Sequence, residues 1–192
     1  MIGLSEERTA MEAAKSSSMP EELSDLVPGS PEYRSLGESI ASNCGQLLSH
    51  GGTVLDLGCA KGDLIAALLP TACGNCRFVA FDKKKENVEA CSDRFRWLAH
   101  EGFVTIGHND LRSEVVAIPN RLTIDELEFG SLSDQRVAEV LSIMRSAIPK
   151  GGAIAVVERT DRPWPEVLAI AGFRDVRLIW KRGALEALMA EK

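Results

Sequence analysis

The chain has 192 residues, 45% of them hydrophobic and 26% charged, with a net charge of -6. That length and balance describe one folded domain with a sizeable core. The acidic balance gives no long-range attraction for a polyanion, and no apolar run approaches the roughly 18 residues that span a bilayer, so neither strong nucleic-acid binding nor a membrane span is expected.

The first twenty residues, MIGLSEERTAMEAAKSSSMP, lack the apolar core and cleavage region of a signal peptide. Residues 1–20 are expected to be a frayed or disordered lead to a single domain over 21–192. Five cysteines make an odd count, which without an export signal argues for reduced thiols and a cytoplasmic location. At Ser30-Pro31-Glu32 a capping residue, a proline and an acid mark a helix start. Leu36, Ile40 and Leu47 give this helix an apolar side, and His50-Gly51-Gly52 stops it.

Apolar runs and amphipathic stretches then alternate. Strands are expected over 53–57, 77–81, 103–106, 122–124 and 153–157, and helices over 63–69, 86–100 and 133–148. Val88, Cys91, Phe95 and Leu98 would share one face of the middle helix. After a short helix over 164–171, residues 174–180 and 185–190 look like two strands joined by a turn. The expectation is an α/β, Rossmann-like, doubly wound sheet of seven strands, mostly parallel and ending in an antiparallel hairpin.

In such a sheet ligands bind beyond the carboxyl ends of the strands, and the first strand-to-helix turn is the usual place. That turn lies in VLDLGCAKGDL, residues 54–64. A dinucleotide fingerprint beginning at Gly58 would put its later glycines at Ala60 and Asp63, and an acid at the last position would face an anionic pyrophosphate. A dinucleotide oxidoreductase is therefore disfavoured. The spacing is instead G-x-A-x-G, preceded by Asp56.

Here the chain resembles the class I S-adenosylmethionine-dependent methyltransferases, whose first motif is an apolar strand, an acid and G-x-G-x-G. The resemblance runs from about Gly52 to Lys192. It implies that the backbone of Gly58, Cys59, Ala60 and Gly62 packs against the cofactor while Asp56 orients its methionine end. In RFVAFD, Asp82 would accept both ribose hydroxyls, since two donors on neighbouring carbons match two carboxylate oxygens. Lys83 stands where the family often packs a small or apolar residue against the adenine, and Lys83-Lys84-Lys85 reads most simply as a solvated face. In FVTIGHNDLRS, Asn109, Asp110 and Leu111 fall at the adenine edge, with Asp110 the expected acceptor for its amino group and His108 structural or exposed. RLTIDELEFG ends the fourth strand, where the methyl acceptor should approach, and makes Asp125 and Glu126 the candidates for base or acceptor orientation. Tyr33 or Arg34 of the N-terminal segment would close near the methionine end.

The resemblance implies an enzyme that moves the methyl group of S-adenosylmethionine to an undetermined acceptor, small or macromolecular, leaving S-adenosylhomocysteine. A catalytically silent cofactor-binding module or sensor is the alternative. No Asn-Pro-Pro-Tyr box or Pro-Cys nucleophile follows the fourth strand, which argues against methylation of base amino groups or of cytosine C5. The chain looks most like the bacterial tRNA-uridine carboxy-S-adenosylmethionine synthase group, but only residues 159–165 stand where that group carries a long helical insertion. Cys73-Gly74-Asn75-Cys76 has the spacing of half a zinc site without a second pair, so free thiols and no metal are expected.

Overall fold

The computed structural model describes residues 29–72, 74–109, 113–126, 128–130 and 132–192. The expected lead, together with Cys73, Asp110 and Leu111, lies outside them. The first described helix, α1 (Pro31–Ser49), begins as its sequence implies: the Ser30 hydroxyl accepts the Tyr33 amide at 3.1 Å, Pro31 occupies the first turn, and Glu32 pairs with Arg182.

The order continues as β1 (Gly52–Leu57), α2 (Asp63–Ala72), β2 (Cys76–Asp82), α3 (Lys85–Arg94), α4 (Arg96–His100) and β3 (Val104–His108). It is completed by α5 (Ser113–Val116), β4 (Leu122–Glu126), α6 (Asp134–Ala147), β5 (Ala153–Arg159), α7 (Trp164–Ile170), β6 (Arg174–Arg182) and β7 (Leu185–Glu191). The sheet has seven strands in the order β3-β2-β1-β4-β5-β7-β6. The first five are parallel, whereas β7 runs antiparallel to both β5 and β6. Strand order reverses between β1 and β4, which makes their carboxyl ends the switch point.

Each central strand is buried on both faces, so alternate residues feed two separate cores. Val54, Phe78, Ala80, Ile124 and Ala155 pack beneath α1 and α2 with Leu36, Ile40, Leu64 and Leu68. Leu55, Leu57, Ile154 and Val156 pack on the other side with Val137, Val140, Leu141 and Met144 of α6 and with Trp164 and Leu168 of α7.

Two helices depart from expectation. The one expected over 86–100 breaks at Phe95, where the backbone leaves helical values (φ -108°, ψ 19°) while the ring is buried. The helix expected to end before Pro70 runs on to Ala72, because a proline near a helix end forfeits one amide bond but already holds a helical φ. The other differences are shifts of one to two residues at element ends, as where β4 takes in Asp125 and Glu126, and the short helix α5, where no element was expected.

Candidate functional site

The turn after β1 is stapled to β2. The Gly58 and Cys59 amides both donate to the Phe81 carbonyl, at 2.9 and 3.1 Å, and the Ala60 amide donates to Asp82 Oδ2 at 2.9 Å. Gly58, Ala60 and Gly62 all have positive φ, at 82°, 45° and 77°. The two glycines also sit where a side chain has no room. A Cβ on Gly58 would lie 2.5 Å from the Glu126 carbonyl oxygen, and one on Gly62 would strike the Phe95 ring and lie 2.8 Å from Cys91 Sγ. Arg94 closes the far side of the loop, donating to the Lys61 carbonyl at 3.1 Å and pairing with Asp63 at 2.5 Å. The contact of Cys59 with the Cys91 thiol, reinforced by burial, raises the Cys59 pKa far above the ordinary thiol range, so Cys59 is no activated nucleophile.

Five carboxyl groups are buried at or beside the carboxyl ends of β1, β2, β4 and β5: Asp56, Asp82, Asp125, Glu126 and Glu158. They are sorted by the two-residue period of the strands. Asp56 and Glu126 share the face that packs under α1, where Tyr33 in the first helical turn donates its hydroxyl to Glu126. Neither oxygen of Asp56, nor Oε1 of Glu126, meets a protein donor while both groups are ionised. Protonation of Glu126 gives Asp56 a donor. Burial first, and the Asp56 charge second, hold Glu126 well above the carboxylate range, while burial raises Asp56 to about 7. Burial and the Glu126 charge likewise hold the Tyr33 phenol well above its ordinary value.

On the opposite face Asp125 pairs with Glu158 from β5. Burial and then the Glu158 charge raise Asp125 well above its ordinary value, and burial raises Glu158 to about 7. Glu158 Oε1 accepts the Phe129 amide at 2.7 Å, which ties the loop after β4 to β5. Arg162 fixes the same loop by donating to the Leu132 carbonyl at 2.7 Å while its guanidinium lies 5.0 Å over the Trp164 ring. Asp125 and Glu126, adjacent in sequence, thus belong to two different carboxyl pairs on two faces.

Asp82 is nearly saturated. Oδ1 accepts the Lys84 amide at 2.7 Å, and Oδ2 accepts both Ala60 N and Asn87 Nδ2. A carboxylate offers about four lone-pair positions, so one remains where the sequence suggested a two-oxygen grip on a ribose. Lys83 is half exposed but not unpaired. It reaches Glu128 at 3.3 Å, bridging the ends of β2 and β4 across the glycine loop. The Asn109 amide donates to the Asp82 carbonyl at 3.1 Å, and His108, exposed, places Nε2 2.9 Å from the Lys83 carbonyl oxygen. Cys76 donates to the Leu48 carbonyl at 3.2 Å inside the core, and among the described residues no group of three or more His, Cys, Asp or Glu side chains is placed to hold a metal ion. Glu158 and Glu128 were not singled out from sequence, although Glu158 carries the same signal as Asp56 and Asp82: an acid at the end of an apolar strand.

No protein-family model matches the chain, and no curated protein matches it significantly. Solved structures do. Human N-acetylserotonin methyltransferase in complex with S-adenosylmethionine superposes with a TM-score of 0.57 at 19% identity over 83% of this chain. The chain spans 55% of that protein's length. A SAM-dependent methyltransferase from Archaeoglobus fulgidus gives 0.63 at 15% identity, covering 83% of this chain and 94% of the other. A possible exported protein from Bordetella parapertussis gives 0.69 at 18% identity, covering 84% and 68%. Among the described residues no helix is long and apolar enough to cross a membrane. With its strand order, its antiparallel β7 and these likenesses, the chain has the α/β Rossmann-like fold of the class I S-adenosylmethionine-dependent methyltransferases.

Proposed function

We propose that the chain binds S-adenosylmethionine at the carboxyl edge of β1, β2 and β4 and transfers its methyl group to an acceptor, leaving S-adenosylhomocysteine. The observation that carries this reading is the Asp56–Glu126 pair, whose buried oxygens, apart from the one that accepts the Tyr33 hydroxyl, lack protein donors. A cationic amino group beside a sulfonium suits such a pair, and a pyrophosphate does not. The cofactor supplies a carbon already activated for in-line displacement.

The chain's own residues hold and orient. Asp56, Glu126 and Tyr33 form the anionic pocket for the methionine end, and the backbone of Gly58, Cys59, Ala60 and Gly62 forms the wall beside it. The remaining lone pair of Asp82 takes a ribose hydroxyl. Asn109 stands at the adenine edge. Lys83, half exposed, guards the site through its pair with the largely buried Glu128.

The Asp125–Glu158 pair is assigned the proton from the acceptor. Two coupled carboxyls that hold one proton between them can take a second near neutral pH, the range in which a general base is effective. In labelled-methyl transfer assays against fractionated cell extract, Asp125→Asn is expected to keep cofactor affinity while kcat falls at least about tenfold. Glu126→Gln should do the reverse, weakening cofactor binding. Transfer by Asp125→Asn at the unmodified rate would remove Asp125 from the chemistry.

A silent cofactor-binding module is the second reading. It is favoured by one feature: both candidate bases are fully or almost fully enclosed. Cofactor binding without turnover in any extract fraction would select it.

A further inference from the structure

At the end of the sheet opposite the glycine loop lies a cavity of about 420 Å³, within the size range of small-molecule sites. Its floor is apolar, made by Leu47, Ala153 and Met189. Asn43, Gln46 and His50 from the last turns of α1 form one wall, and Arg121, at the start of β4, and Arg177 of β6 form the other. The charge of this cavity opposes that of the molecule. The chain carries a net -6, yet the lining holds two arginines and one carboxylate, Glu191.

The two arginines are differently engaged. Arg177 pairs loosely with Glu191 at 3.7 Å, both side chains being 45% exposed, and donates to Met189 Sδ at 3.6 Å. The Arg121 backbone is held by Thr53 and Ala153, but among the described residues its guanidinium has no ion pair and no hydrogen bond. A guanidinium fork matches phosphate oxygens bidentately, and two forks on one cavity suit a single dianionic group. The neutral groups suit hydroxyls. His50 Nδ1 bonds the Gln46 carbonyl at 2.6 Å, which leaves Nε2 for a ligand, and the Asn43 and Gln46 amides can both donate and accept. Once Arg177 turns to an anion, Glu191 becomes an acceptor for a hydroxyl.

We propose that this cavity is a second ligand site that binds a small phosphate ester of a polyol, of the sugar-phosphate class, with Arg121 and Arg177 on the phosphate and Asn43, Gln46, His50 and Glu191 on the hydroxyls. It is independent of the cofactor edge, from which it is separated by the length of the sheet. Calorimetry of the full chain with ribose 5-phosphate, ribose and inorganic phosphate tests it, each run with and without saturating S-adenosylhomocysteine.

Ribose 5-phosphate is expected to bind in the micromolar to millimolar range, more tightly than inorganic phosphate, while ribose gives no heat. Arg121→Gln should weaken binding about tenfold or more without lowering the melting temperature, since among the described residues that guanidinium has no ion pair or hydrogen bond to lose. Arg177→Gln should also weaken it. An unchanged affinity in the presence of S-adenosylhomocysteine places the ligand outside the cofactor edge. The proposal is overturned if ribose 5-phosphate gives no heat at millimolar concentration, if inorganic phosphate binds as tightly, if both variants retain full affinity, or if S-adenosylhomocysteine competes.

Discussion

Gly62→Ala is expected to destabilise the protein by about 2 to 5 kcal/mol, whereas Gly102→Ala should cost only about 1 to 2 kcal/mol. The pair is informative because the two backbones are nearly identical, with φ of 77° and 76°. Both substitutions force an L-residue into left-handed backbone, which costs about 1 to 2 kcal/mol. Only at Gly62 does the new methyl also meet the Phe95 ring and Cys91 Sγ, whereas Gly102 has nothing within 4 Å. Overpacking of that kind adds about 1 to 3 kcal/mol. Urea denaturation of the two variants measures the difference directly. Equal losses would mean that Phe95 and Cys91 move aside at no cost, and that Gly62 is dictated by backbone conformation alone.

The second large effect is on cofactor binding as pH changes. A cationic ligand needs Asp56 ionised, and below about pH 7 Asp56 holds a proton that must be expelled, while Glu126 keeps its own. Affinity is therefore expected to rise by up to about tenfold per pH unit from pH 5 to 7, roughly a hundredfold in all, and then to level off as Asp56 finishes titrating. Ligand-free stability should move the other way. Unfolded carboxyls titrate near pH 4, so between about pH 4 and 7 the folded state binds more protons than the unfolded one. Stability then falls as pH rises, by at most about 1.4 kcal/mol per pH unit for each proton retained. Both trends come from burial of acids without donors. Asp56→Asn should flatten the binding profile as well as weaken binding, and a profile that stays steep in that variant would place the titrating group elsewhere.

Much of the scaffold was legible because its signals are local. The cap at Ser30, the apolar stripe of Cys91 and Phe95, and the strands with their closing hairpin all stand where period and punctuation put them. The break at Phe95 was not legible: no local signal marks it, and the ring is buried against Gly62, far away in sequence. The carboxyl pairs were hidden for the same reason. Asp56 meets Glu126, and Asp125 meets Glu158, only because β4 lies between β1 and β5, and nothing local announces that neighbourhood. Adjacency in sequence suggested that Asp125 and Glu126 act at one place, but alternation along β4 sends them to opposite faces. The glycine spacing was legible, whereas its double duty was not. Gly58 and Gly62 are required by the Glu126 carbonyl and by α3, whatever ligand lies above them.

The most direct test of the proposed cofactor edge is calorimetric titration of the full chain with S-adenosylmethionine and with S-adenosylhomocysteine at neutral pH, alongside Asp56→Asn and Asp82→Ala. Binding of both ligands in the micromolar range or tighter, weakened about tenfold or more by each substitution, is the expected result. No heat with either ligand, or affinities that neither substitution changes, would contradict it.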